Sequence, residues 1–158
     1  MAQKSCFFIG HHDAPADLAP LLTKEVERHI TEYGVSAFIA GMYGNFDYMS
    51  IRAVIAAKEK YLWVQLSLLL PYHPAERKTE KPKGVDELYY PDGLEKTPRR
   101  YAIIKANQKT IAQSDFLISY VVHSASNAIK FLEYARKLER SGRIVNTNNL
   151  EQSFERRY

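Results

Sequence analysis

Short apolar runs alternate along this chain with longer stretches whose apolar residues return every three or four positions. Cys6-Phe-Phe-Ile9 reads as a buried strand stopping at Gly10. From Pro15 to Tyr33, Leu18, Leu21, Leu22, Val26 and Ile30 make one helical face. Lys24, Glu25, Glu27 and Arg28 lie largely opposite, and Gly34 supplies a C-terminal stop. Val35 to Ala40 predicts a second strand. Asn45 to Lys60 predicts a second helix, with Phe46, Met49, Ala53, Ala56 and Ala57 at helical spacing. Tyr61 to Leu70 is a strongly apolar third strand ended by Pro71. Phe116 to Val122 is the next strand. Ser126 to Arg140 is a helix with Ile129, Leu132, Ala135 and Leu138 on one side. Arg143-Ile-Val145 is a last short strand after Gly142. This alternation predicts an α/β fold with a mainly parallel sheet of about five strands, covered on both faces.

Residues 71–98 interrupt the pattern with prolines, lysines, glutamates and Tyr89-Tyr90. A stretch this long is functional or disordered in most compact domains. It follows the carboxyl end of a strand, where open α/β sheets place their ligands. It reads as a lid-like insertion, or as a solvated loop. Residues 1–146 are expected to form one domain, and 147–158 a polar C-terminal tail or a short exposed helix.

The 158 residues suit one domain, and the net charge of +4 is modest. The excess is local: Lys96, Arg99, Arg100, Lys105 and Lys109 stand in a stretch without carboxylates, and Arg156-Arg157 lie near the end. A small anionic ligand accounts for such a cluster as well as nucleic acid does. No apolar run approaches the roughly 20 residues that span a bilayer. The N-terminus lacks the plan of a signal peptide, so a cytoplasmic protein is expected, with no membrane partner. The lone cysteine, Cys6, opens an apolar strand and reads as an inert core thiol.

Candidate chemistry gathers at the strand ends. In Phe38-Ile-Ala-Gly-Met-Tyr-Gly-Asn-Phe-Asp47, an apolar run enters a turn containing Gly41, Tyr43 and Gly44, and Asn45 stands where an N-cap would. A strand, a glycine turn and a helix start make an anion cradle, or simply a turn. Gly10-His11-His12-Asp13 occupies the first βα turn. There Gly10 permits close approach, His11 and His12 can donate to a phosphate or base, and Asp13 can cap the next helix. No metal-binding partner motif accompanies these histidines, and no metal or cofactor is expected. Thr97-Pro98-Arg99-Arg100 is a helix start whose cations oppose the helix dipole unless an anion is bound. Asn107 lies two turns beyond Arg100 on the same face. His123, Ser124 and Ser126 follow the fourth strand, where they can bind phosphate or cap the helix. Asp47 and Glu133 are the carboxylates chosen for acid or base work, with Asp115 a third candidate. Nucleophile-elbow, Walker and zinc signatures are missing.

Four motifs stand in order: G-H-x-D after the first strand, the G-x-x-G-x-F-D turn, the R-Y-A-I-x-x-x-N helix and the S-D-F-L-I-S-Y-V strand. Together they resemble the SLOG superfamily, Rossmann-like proteins related to the LOG phosphoribohydrolases and the DNA-processing SMF proteins. The nearer likeness is to a small, single-domain bacterial branch, over about Lys4 to Val145. The resemblance implies a three-layer Rossmann-like fold and a nucleotide, or nucleotide-derived ligand, at the carboxyl edge of the sheet. It points to Gly10, His11, Asp13, Gly41, Gly44, Asn45, Phe46, Asp47, Arg100, Asn107 and Ser124. Three features depart from the pattern. His12 replaces an arginine, Ser126-Asn127 replace paired glycines, and the P-G-G-x-G-T loop of LOG enzymes is missing. Binding or sensing without turnover is therefore the first expectation, with Tyr43, Tyr72 or Tyr89-Tyr90 stacking on the base. The alternatives are N-glycosidic hydrolysis of a nucleotide through Asp47 or Glu133, and a protein or nucleic-acid interaction module. Relatives of this type often pair, so a homodimer is expected.

Overall fold

The first strand, β1 (Lys4–Gly10), is apolar on both sides, with Cys6 and Phe8 facing one layer and Phe7 and Ile9 the other. Alternation with period two makes that possible. The computed structural model describes residues 3–73, 75, 78–142 and 146–150. In it, helices α1 (Ala19–Thr31) and α2 (Asn45–Lys60) pack on the Cys6 and Phe8 face. Helices α3 (Arg99–Gln113) and α4 (Ala128–Arg140) pack on the other. This is a three-layer Rossmann-like α/β fold.

The remaining strands are β2 (Val35–Ala40), β3 (Gln65–Leu69), β4 (Glu87–Tyr89), β5 (Phe116–Tyr120) and β6 (Asn146–Asn149). All pairings are parallel, in the order β4-β3-β2-β1-β5-β6. Strands β1 to β4 build outward in one direction, and the chain then crosses back to lay β5 on the free side of β1. The order therefore reverses between β1 and β5. Such a switch point opens a crevice at the carboxyl ends of the strands.

Phe7, Phe8, Phe38 and Phe46 are almost fully buried. Each contributes about 2–3 kcal/mol of apolar burial. An exposed pair such as Arg28–Glu32, at 3.0 Å, is screened by solvent and adds little. Apolar faces, not surface charges, hold the helices on the sheet. Cys6 is a buried core residue, and burial pushes its thiol far above the ordinary range.

Among the described residues the sheet has six strands where about five were expected, and the two that were not expected, β4 and β6, lie at its edges. β4 falls inside 71–98, so that segment is not wholly a lid. Asp86 fastens it: one carboxylate oxygen accepts the Leu66 N–H at 2.8 Å and the Lys58 ammonium at 2.5 Å. β6 is polar throughout and occupies what reads in sequence as the tail. Side-chain bonds replace apolar burial there. Asn149 Oδ1 accepts the Val121 N–H at 2.9 Å, its Nδ2 donates to Val121 O at 3.1 Å, and Asn148 Nδ2 donates to Glu25 Oε1 at 2.6 Å. The expected strand over Arg143–Val145 lies outside the described residues. β3 begins at Gln65 rather than Tyr61, because Tyr61 to Val64 form a turn closed by Val64 N–H on Tyr61 O. Leu62 and Trp63 are consequently 84% and 61% exposed. Among the described residues, no helix is long and apolar enough to cross a membrane.

Candidate functional site

A cavity of about 830 Å³ opens at the switch point. Its floor comes from the end of β1 (Phe8, Ile9, Gly10) and the end of β3 (Leu69, Leu70). Gly41, Met42, Tyr43 and Asp47 form one wall, and Ala125 to Ala128 with Phe131 form another. Ile103 and Asn107 of α3, with Pro71, Tyr72 and Thr79, complete it. Part of the 71–98 segment thus lines the site.

Two glycines make the approach possible. A Cβ on Gly10 would stand 2.3 Å from Phe46 Cγ, so only glycine lets α2 settle against the end of β1. Gly44 has φ +100° and is the residue before the first turn of α2. A Cβ there would lie 2.4 Å from His12 Cα. Gly44 therefore holds the N-cap position predicted for Asn45. Asn45 is the first helical residue instead, and its backbone N–H donates to His12 O at 2.8 Å. Its side chain donates to Ala14 O at 3.3 Å, which ties the first turn to α2. Asn45 does not line the cavity.

Asp47 sits half-buried in the wall. Its Oδ2 accepts the Tyr43 N–H at 2.9 Å. Burial pushes the carboxyl up to about 7, and the Tyr43 N–H only partly opposes this. No lysine or arginine lines the cavity among the described residues. Asp47 is thus poised to hold or release a proton near neutrality, as a base or acid must be.

His11 and His12 have separate roles. His12 is exposed and lines the cavity. His11 is buried and does not line it. His11 Nε2 accepts the Val122 N–H at 3.0 Å, and Nδ1 bonds Ser126 Oγ at 2.8 Å. Because Nε2 receives a backbone N–H, the neutral ring carries its proton on Nδ1 and donates it to Ser126. His11 therefore cannot take a proton from Ser126 in this arrangement. Asp13 is exposed and caps no helix. The short helical turn Ala16–Leu18 starts after Pro15, and Asp13 acts only as a nearby charge on His11.

Other predicted residues divide. Asn107 reaches the cavity, with Nδ2 donating to Ile103 O at 2.8 Å. Arg100 does not line it, since its guanidinium lies 4.8 Å from the Tyr101 ring centroid. Arg99 instead lies near the site, 5.5 Å from the ring centroid of the lining residue Tyr72. The helix begins at Arg99 after Pro98, one residue later than Thr97 and Pro98 suggest. His123 and Ser124 line a second hollow of about 550 Å³ with Arg136 and Thr147–Asn149. Glu133 is exposed and touches neither hollow, because it lies about 200° around α4 from the cavity residue Phe131. Tyr89 and Tyr90 do not line the cavity, and the Tyr89 hydroxyl is bonded to Gln113 at 2.6 Å. Asn127, Thr79 and Phe131 were not predicted. Asn127 alone carried a signal, as it adjoins Ser126 at the strand-to-helix junction.

Among the described residues, no group of three or more His, Cys, Asp or Glu is placed to hold a metal ion. No protein-family model matches the chain, and no curated protein matches it either.

Proposed function

We propose that the protein binds or senses a nucleotide, or a nucleotide-derived ligand, at the carboxyl edge of its sheet. One observation carries this reading: the 830 Å³ cavity stands at the β1/β5 switch point and is bounded by the starts of two helices on opposite layers. Crevices in this position receive such ligands in open α/β sheets. Its volume falls within the range of small-molecule sites. Tyr43 and Tyr72 offer flat surfaces for a base, and Gly10 and Gly41 line the cavity, whereas Gly44 packs against His12 and does not. The ordered motifs shared with the SLOG superfamily support the same reading. Thermal-shift measurement with AMP, ADP, NAD and ADP-ribose tests it. Stabilisation by at least one at millimolar concentration is expected, and none from any of them would refute it.

Asp47 favours a second reading, hydrolysis of a nucleotide N-glycosidic bond. A carboxyl pushed up to about 7, in a cavity whose described lining holds no lysine or arginine, can activate water. Glu133 takes no part in this version. Chromatographic detection of free base from nucleoside monophosphates separates it from binding alone. A homodimer is the accompanying proposal, with exposed Tyr48 on α2 and Leu62-Trp63 just beyond it as apolar surface to cover. Light scattering at several concentrations checks it.

A further inference from the structure

Ser126 Oγ receives two hydrogen bonds, from His11 Nδ1–H at 2.8 Å and from the Ala128 N–H at 3.3 Å. A hydroxyl oxygen has two lone pairs, so its acceptor capacity is full. What remains is its proton, for which no described residue supplies an acceptor. Ser126 lines the cavity, so an acceptor has to come from whatever fills it. The direction of this chain of bonds is set at its far end. The Val122 N–H can only donate, His11 Nε2 must accept, His11 Nδ1 must donate, and Ser126 is left able only to give.

We propose that Ser126 is a ligand-recognising residue that donates to an acceptor oxygen of the bound molecule, and that His11 is the positioning residue that holds it to this role. The inference rests on the nucleotide reading and deepens it. The group facing Ser126 is a phosphate oxygen or a carbonyl or ribose oxygen, not an N–H. The same directionality removes Ser126 as a nucleophile activated by His11, since the imidazole has no free lone pair for its proton. His11, which sequence alone offers as a direct contact, acts one bond further back.

The test measures calorimetric affinity for AMP, adenosine and inorganic phosphate in wild type, Ser126→Ala, His11→Gln and the double variant. Glutamine can present an amide oxygen to the Val122 N–H while withdrawing the donor to Ser126. Ser126→Ala is expected to weaken AMP about tenfold or more, as losing a bond to a charged acceptor does. Loss for AMP and phosphate but not adenosine assigns the acceptor to phosphate. Equal loss for AMP and adenosine assigns it to the nucleoside. His11→Gln is expected to weaken the same ligands and to add nothing in the Ser126→Ala background, whereas a merely structural role would give additive losses. His11→Asn, whose amide N–H can stand near the Nδ1 position, should restore binding. Nucleotides that bind wild type and Ser126→Ala equally would overturn the inference and leave the nucleotide reading standing. Failure of all three probes, and of ADP, NAD and ADP-ribose, to bind wild type would overturn both. The ring tautomer is read separately by nitrogen–proton NMR of the ligand-free protein, and a proton on His11 Nε2 would overturn the inference whatever binds.

Discussion

The imidazole of His11 lies flat against that of His123, with ring centroids 3.9 Å apart and planes 3° from parallel. The stack closes the first βα turn against the loop after β5, the two segments on either side of the switch point. Burial first, and then the neighbouring His123, hold His11 below the ordinary histidine range. Nearby Asp13 opposes this, and His12 adds to it.

Acid stability follows from that arrangement. His29 is also held below its ordinary range by burial, with its ring bonded to Glu25 O at 2.8 Å. For both histidines the unfolded chain binds protons more readily than the folded one. Their contribution is therefore fully present above about pH 6.5 and is lost as pH falls below it. In an Asp47→Asn background, which removes the opposing carboxyl titration, melting temperature is expected to drop between about pH 7.5 and about pH 5.5, and His11→Gln should make the drop shallower. A melting series in constant ionic strength measures both.

Asp47 works in the opposite sense. Its folded-state pKa of about 7 lies above the ordinary 3.8, so the folded protein binds the extra proton and stability declines as pH rises towards 7. Asp47→Asn keeps an acceptor for the Tyr43 N–H and removes the ionisation. It should stabilise by up to about 4 kcal/mol near pH 8 and by less than about 1 kcal/mol near pH 4. Chemical denaturation at the two pH values decides this.

Gly10→Ala should destabilise. The new Cβ meets Phe46 Cγ at 2.3 Å and Phe46 Cδ2 at 2.4 Å, and Phe46 is fully buried. Overpacking of this kind costs about 1–3 kcal/mol, or roughly 3–10 °C in melting temperature for a chain of this size. Phe46→Leu in the same background should recover part of the loss, because the smaller side chain clears the contact.

Asn149→Ala should loosen β6. It removes the acceptor for the Val121 N–H and the donor to Val121 O at once. We expect a loss of about 2 kcal/mol and faster hydrogen exchange at Val121. Unchanged exchange there would mean that backbone pairing alone holds the strand.

Ligand variants separate the two carboxylates and the aromatic wall. Tyr72→Ala should weaken AMP by about 1–3 kcal/mol through lost stacking. Glu133→Gln should change neither affinity nor any base release. Asp47→Asn should abolish base release if that reaction occurs. Calorimetry and chromatography on the same preparations give the comparison.

The alternation of apolar runs with helical faces determined the layers and the parallel core strands, because burial on two faces leaves short continuous apolar runs in the sequence. Cys6 to Ile9, Phe38 to Ala40 and Phe116 to Tyr120 are strands for that reason. The polar strand Asn146–Asn149 carries no such signature, since Asn148 and Asn149 satisfy partners more than 25 residues away in sequence. β4 was hidden likewise, held by Asp86 on Leu66 and Lys58. Strand-end glycines, His12, Asp47 and Ser126 were legible at the site because local turns demand such residues. Folding alone decided that Arg99 rather than Arg100 meets the lining Tyr72, that Glu133 faces away, and that His11 turns inward. Each depends on which side of a helix or turn faces the crevice, and a one-residue shift in a helix start rotates that side by about 100°.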